Sequence, residues 1–242
     1  MGWQWLAHGK HPVARDYFTI GDETPMARAI FDWLQRGCQN IQDNSQLTIP
    51  CSWRFWVRSP QRNSLLCGMV RNSCDGLGRP YPLLLLGSGV IPGWEAQWAS
   101  LPQVCENVWL QLEHLVTRRI SGLEQLRSGL KSMKSPGGHL GKMARGAVDM
   151  PAGYEKAHLE LSQQLRDRHQ AVMRLPDLEH QELIDEVQRW HEALACNGVQ
   201  PPTAVFMGGG LVQTYLVIFA EALGGDDFKL LWTLGAGTDL TV

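Results

Sequence analysis

Four groups of residues in this 242-residue chain are of types that do chemistry. The densest is Ser73-Cys74-Asp75-Gly76-Leu77-Gly78-Arg79-Pro80-Tyr81-Pro82-Leu83. Asp75 can accept backbone N–H bonds in an Asx-type turn, Gly76 and Gly78 tolerate positive φ, and Pro80 and Pro82 hold the approach to the next segment extended. Arg79 has two uses there. It can pair with Asp75 and make the loop rigid, or reach outward to a protein partner.

The other groups fare worse as sites. Gly208-Gly209-Gly210, between a candidate strand and a candidate helix, invites an anion reading, because a helix N-terminus presents unpaired N–H groups. Neither GxxxxGK[ST] nor GxGxxG with a later acidic residue is present, so a tight turn that permits close packing is preferred. His158, His169, His180 and His191 recur every 11 residues. Neighbours at that spacing on a helix lie roughly 16 Å apart, against metal–ligand bonds of about 2 Å, so they are read as helix-surface histidines. Ser88 in Gly87-Ser88-Gly89 lacks the flanks of a nucleophile elbow, and HExxH and EF-hand patterns are absent. Two alternatives stay open: a nucleotide- or anion-responsive module built on Gly208 to Gly210 with Lys142 and Arg145, and a hydrolase with a dispersed triad.

Composition narrows the classes further. Lys plus Arg total 22 against 24 Asp plus Glu, which is no footprint for a nucleic-acid or anionic-membrane binder. No apolar run approaches the roughly 20 residues of a membrane span, and Met1 to Leu6 does not resemble a leader, so a cytoplasmic location is expected. Cys38, Cys51, Cys67, Cys74, Cys105 and Cys196 form no CxxC pair and are expected to be reduced and mostly buried. The ten tryptophans are expected mainly in the core. No cofactor and no metal is expected.

The elements that position these residues follow from periodicity. Trp3 to Leu6 reads as a strand before the loop Ala7 to Pro12. Pro25 opens an amphipathic helix through Met26, Ala27, Ile30, Phe31 and Leu34, with Gly37 as its stop. Trp53 to Val57 and Leu65 to Val70 read as a hairpin, and Pro82 to Leu86, bounded by Gly87-Ser88-Gly89, as a central strand. The stripe from Val104 to Leu130 predicts the longest helix, and Lys134 to Gly153 a mobile loop. Tyr154 to Leu175 and Leu178 to Ala195 predict a helical hairpin broken at Pro176, Thr203 to Met207 a strand, and Leu211 to Leu223 a buried helix. The alternation implies an α/β layered sandwich, a central sheet of about five to six strands flanked by helices with a C-terminal helical region.

Ser73, Asp75, Gly78, Arg79, Tyr81, Pro82 and Leu83 also resemble the S-x-D-x-x-G-R-x-F-P-L segment of the TagF (ImpM) family, with Tyr81 in place of Phe. Gly9-Lys10-His11-Pro12 with Asp16 and Phe18 resembles that family's opening G-K-x-P and G-D-F segments. Phe31-Asp32-Trp33-Leu34 resembles its first helix, and Pro50, Trp53 and Phe55 its P-x-W-x-F strand. Arg15 stands where the family has Gly, and Thr203 to Phe206 lacks its paired tryptophans. The resemblance implies one TagF-like domain over residues 1–242, its motifs in 1–133, a loop over 134–153, and a helical hairpin with a last strand and helix in 154–242. It also implies a non-enzymatic accessory of type VI secretion, a post-translational repressor that binds a forkhead-associated (FHA) scaffold protein. Lys10, Asp16, Asp75, Arg79 and Tyr81 are then the partner-binding candidates, with Gly9, Pro12, Trp53, Gly78 and Pro82 as structural motif residues.

Overall fold

The computed structural model describes residues 2–41, 47–137 and 154–237. Among them, eight strands form a single sheet: β1 (Gln4–Gly9), β2 (Phe18–Ile20), β3 (Ser52–Arg58), β4 (Ser64–Arg71), β5 (Leu83–Val90), β6 (Gln170–Leu175), β7 (Ala204–Gly209) and β8 (Thr214–Phe219). Their order is β2-β1-β5-β4-β3-β7-β8-β6, and every neighbouring pair is antiparallel. The mixed α/β class stands, but the sheet has eight strands rather than five or six.

Both faces of this sheet are covered, so its inner strands are apolar throughout rather than alternating with polar residues. Trp53, Phe55 and Val57 of β3, Leu66 and Val70 of β4, and Leu84 and Leu86 of β5 face α1 (Pro25–Asn40) and α6 (Gly225–Gly235). The residues between them, Trp56, Leu65, Cys67, Met69, Leu83 and Leu85, join a second core beneath α2 (Leu101–Thr117), α3 (Leu123–Lys131), α4 (Tyr154–Arg168) and α5 (His180–Cys196). Eight of the ten tryptophans are buried, while Trp3 and Trp5 are half-buried.

α1 begins as expected, with Pro25 in its first turn and the Thr24 hydroxyl accepting from the Ala27 N–H at 3.1 Å. It does not stop at Gly37. A Cβ there would lie 2.2 Å from Cγ of Phe228, so Gly37 is where α6 packs against α1, and the helix runs on to Asn40. Gly87 and Gly89 likewise lie inside β5 rather than beyond it. The rings of Trp5 and Trp3 cover them, and a Cβ would come within 2.4 and 2.6 Å of those rings.

Other expectations give way to tertiary structure. The stripe from Val104 to Leu130 is two helices, because the chain turns after Thr117 and extended Gly122 caps α3. α3 folds back until Gly129 meets Leu115, so one apolar periodicity serves two packed helices. The helical hairpin is instead helix, strand, helix. His169 takes a positive φ of 58° after α4, and β6 adds to the sheet edge beside β8. Leu211 to Leu223 is not a helix: its centre is β8, buried on both faces between β7 and β6, and the helix follows as α6. The loop expected over Lys134 to Gly153 lies, from 138 onward, outside the described residues. Cys51, Cys67 and Cys105 are buried, Cys38 and Cys74 partly so, and Cys196 is exposed.

Candidate partner-binding site

The two motif segments meet at the open end of β1 and β5. Gly9 pairs with Leu83 across these strands at a φ of 124°, and a Cβ on it would lie 2.1 Å from the Pro82 carbonyl oxygen. Only glycine fits so close an approach of two backbones. That apposition delivers the next residue, Lys10, into the 73–81 loop.

Asp75 is the hub of the site, with a relative exposure of 1%. Its Oδ2 takes an ion pair from Lys10 Nζ at 3.0 Å and a hydrogen bond from Arg79 Nε at 2.7 Å. Its Oδ1 accepts the N–H groups of Leu77 and Arg79, both at 3.0 Å, which is the Asx-type turn that the sequence implies. The Asp75 N–H donates to the Arg79 carbonyl at 3.2 Å, and Cys74 bridges to Pro80. Burial alone pushes this carboxyl up, but the Lys10 ion pair, the backbone donors Arg79 and Leu77 and the Arg79 guanidinium outweigh it and hold it well below the usual carboxylate range. Asp75 is therefore ionised at neutral pH and fastens the loop.

Arg79 makes the pairing with Asp75 that the sequence allows, and its other edge joins the neighbouring loop. One side of its guanidinium is fixed on Asp75, while its Nη2 donates to the Arg15 carbonyl at 2.9 Å and stands 3.5 Å from Asp16 Oδ2. The Gly76 N–H donates to the Ala14 carbonyl at 2.7 Å, so the loops around residues 9–17 and 73–81 form one body. Because Arg79 uses the carbonyl of Arg15, the departure from Gly there leaves this contact intact. Tyr17 completes the surface: Lys10 Nζ lies 4.6 Å from its ring centre, and its edge meets Tyr81 at 4.7 Å. Burial raises the Tyr81 hydroxyl above its ordinary value, helped by Cys38 and Tyr17.

The five partner-binding candidates therefore divide. Lys10, Asp75 and Tyr81 are buried and shape the loop, while the Arg79 and Asp16 side chains are 49% and 63% exposed. Of the motif residues, Pro12 and Gly78 are exposed, and Gly9, Pro82 and Trp53 are buried. Sequence reasoning missed Tyr17 and Leu77, which are 55% and 73% exposed on the two loops. Their apolar character beside turn residues was the available signal.

The remaining candidate groups are dispersed. No helix starts at Gly208 to Gly210, since the chain turns there from β7 into β8, which removes the N–H cluster of the anion reading. The close packing is present: Cβ atoms on Gly208 and Gly210 would lie 2.0 Å from the Ser52 oxygen and 2.2 Å from the Gly235 oxygen. Lys142 and Arg145 lie outside the described residues. The histidines do not form a helix surface. His158 and His191 are buried against Trp190 and Trp98 at 4.5 and 5.3 Å, whereas His169 and His180 sit at element ends.

A single eight-stranded antiparallel sheet covered on both faces by helices, with a charged double loop at one end, defines a mixed α/β protein. The family model described as TagF N-terminal domain, Type VI secretion system-associated, matches residues 7–134, just over half of the chain. The chain belongs to this family, and through it to the proteins associated with type VI secretion. It is similar along nearly its whole length to the crystal structure of PA0076 from Pseudomonas aeruginosa PAO1, with a TM-score of 0.56 at 14% identity, over 98% of this chain and 96% of that one. That likeness is one of fold. No curated protein matches the sequence.

Proposed function

We propose that this protein is a non-enzymatic, cytoplasmic regulator of type VI secretion that represses assembly by binding an FHA-domain scaffold protein. The observation that carries this reading is the Asp75 hub. A buried carboxylate fixed by four donors holds Arg79 half-exposed beside Asp16 and Tyr17, and nothing in that arrangement needs to move to receive a partner. Charged groups held on a rigid loop confer specificity and association rate at an interface. The family match supplies the secretion context.

Calorimetric titration of the full chain with the type VI FHA scaffold from the same genome tests it. One-to-one binding with a Kd of about 1 μM or tighter is expected, weakened about tenfold or more by Arg79→Ala and less by Asp16→Ala. Binding unchanged in a folded Arg79→Ala protein removes the double loop from the interface. Absence of binding by the unaltered chain removes the scaffold.

A further inference from the structure

Beside the double loop lies a groove of about 460 Å3, bounded by residues 47–52, the 71–80 loop and the turn between β7 and β8. Arg71 is the one charged residue among the described residues that line it. Its side chain is half-buried at the end of β4, and among the described residues no carboxylate, carbonyl or hydroxyl pairs with it. The Cys51 thiol in the same wall is pushed up to about 12 by burial, so it stays neutral and supplies no counter-charge. A guanidinium on a groove wall with no acceptor among the described residues favours an anionic visitor.

The rim is apolar. Leu211 lines the groove with 87% of its surface exposed, and Val212 beside it is 95% exposed. Ile49, between the lining residues Thr48 and Pro50, and Leu77, next to lining Gly78, are 36% and 73% exposed. Leu211 thus puts exposed apolar surface on the groove wall, and exposed Val212, Ile49 and Leu77 adjoin lining residues along the chain. Apolar surface collected in this way marks a protein-binding site.

We propose that this groove docks a short extended segment of a partner protein in which an aliphatic or aromatic side chain stands next to an aspartate or glutamate. The carboxylate pairs with Arg71, and the apolar group packs against Leu211 and Val212. The inference stands apart from the scaffold reading and holds for any partner that displays such a segment.

A displayed library of random heptapeptides, selected on the full chain, tests it without presupposing the partner. Selected sequences should carry Asp or Glu beside Leu, Ile, Val or Phe. Fluorescence anisotropy of the synthetic peptides should show affinity reduced about tenfold by Arg71→Glu and by Val212→Asp. Arg58→Glu, at a different cavity, should leave affinity within about twofold. Should Arg71→Glu fail to fold, Val212→Asp carries the test, since that side chain touches little of the protein. Three results would overturn the proposal: no peptides selected, selected peptides without acidic residues, or equal binding by Val212→Asp. So would concentration-dependent dimerisation in sedimentation runs that Val212→Asp abolishes, because a second copy would then fill the groove. The scaffold titration decides the other reading separately, whichever way the peptides behave.

Discussion

Lys10 Nζ meets Asp75 Oδ2 at 3.0 Å with both side chains out of solvent, and the two residues come from loops at the ends of different strands. The pair clamps the 9–17 loop to the 73–81 loop. Removing one member of a buried ion pair strands the other's charge, which costs more than the intact pair contributes.

Stability should therefore rank by what each change leaves behind. Asp75→Asn strands Lys10 and loosens Arg79, so its thermal midpoint should fall by roughly 5–10 °C. Lys10→Met should cost less, because Asp75 keeps Arg79 and two backbone donors. Arg79→Ala, whose side chain is half in water, should cost least. Differential scanning calorimetry at pH 7 gives the order, and Arg79→Ala as the most damaging of the three would contradict the hub.

The same carboxylate sets a pH dependence. Its pKa is depressed in the folded protein, so its contribution is fully present above the unfolded value of about 3.9 and disappears as pH falls below it. The stability gap between the unaltered chain and Asp75→Asn, measured by urea titration, should be constant from pH 7 to pH 5. It should narrow below about pH 4.

His191 acts in a higher window. Burial lowers its pKa to about 4 against the hydrogen bond with the Val187 carbonyl, so the folded protein keeps it neutral where the unfolded chain protonates it. The stability held above pH 6.5 is lost as pH falls toward 4, by up to about 3 kcal/mol. His191→Leu should flatten the urea-derived stability profile across that interval. A profile as steep as that of the unaltered chain would assign the acid sensitivity to other groups.

Gly9→Ala tests the backbone apposition that positions Lys10. A methyl group would meet the Pro82 oxygen at a left-handed φ of 124°, and a destabilisation of about 2 kcal/mol or more is expected in chemical denaturation.

Gly37→Ala tests the α1–α6 contact in the same way. Its Cβ would press on the Phe228 ring, so the change should destabilise by about 1–3 kcal/mol, and Phe228→Leu in the same chain should recover part of that loss.

By itself, the sequence determined the pieces whose conformation is local. Thr24-Pro25 starts α1 because a hydroxyl cap and a proline in the first turn act within a few residues. Asp75, Gly78 and Arg79 specify their turn because the Asp75 side chain bonds the backbone two and four residues on. Tertiary structure decided the rest. Leu216 to Phe219 is apolar on every side, and such a run fits a buried helix as well as a doubly covered strand; only pairing with β7 and β6 makes it β8. Gln170 to Leu175 becomes an edge strand because β8 offers it a ladder. Lys10 is buried because Gly9 brings it under the 73–81 loop, and Arg71 lines a groove because residues 47–52 and 209–211 come beside its strand end. Whether a charge is a fastener or a lure depends on the groups that other segments bring to it, and that information is not contained in its neighbours along the chain.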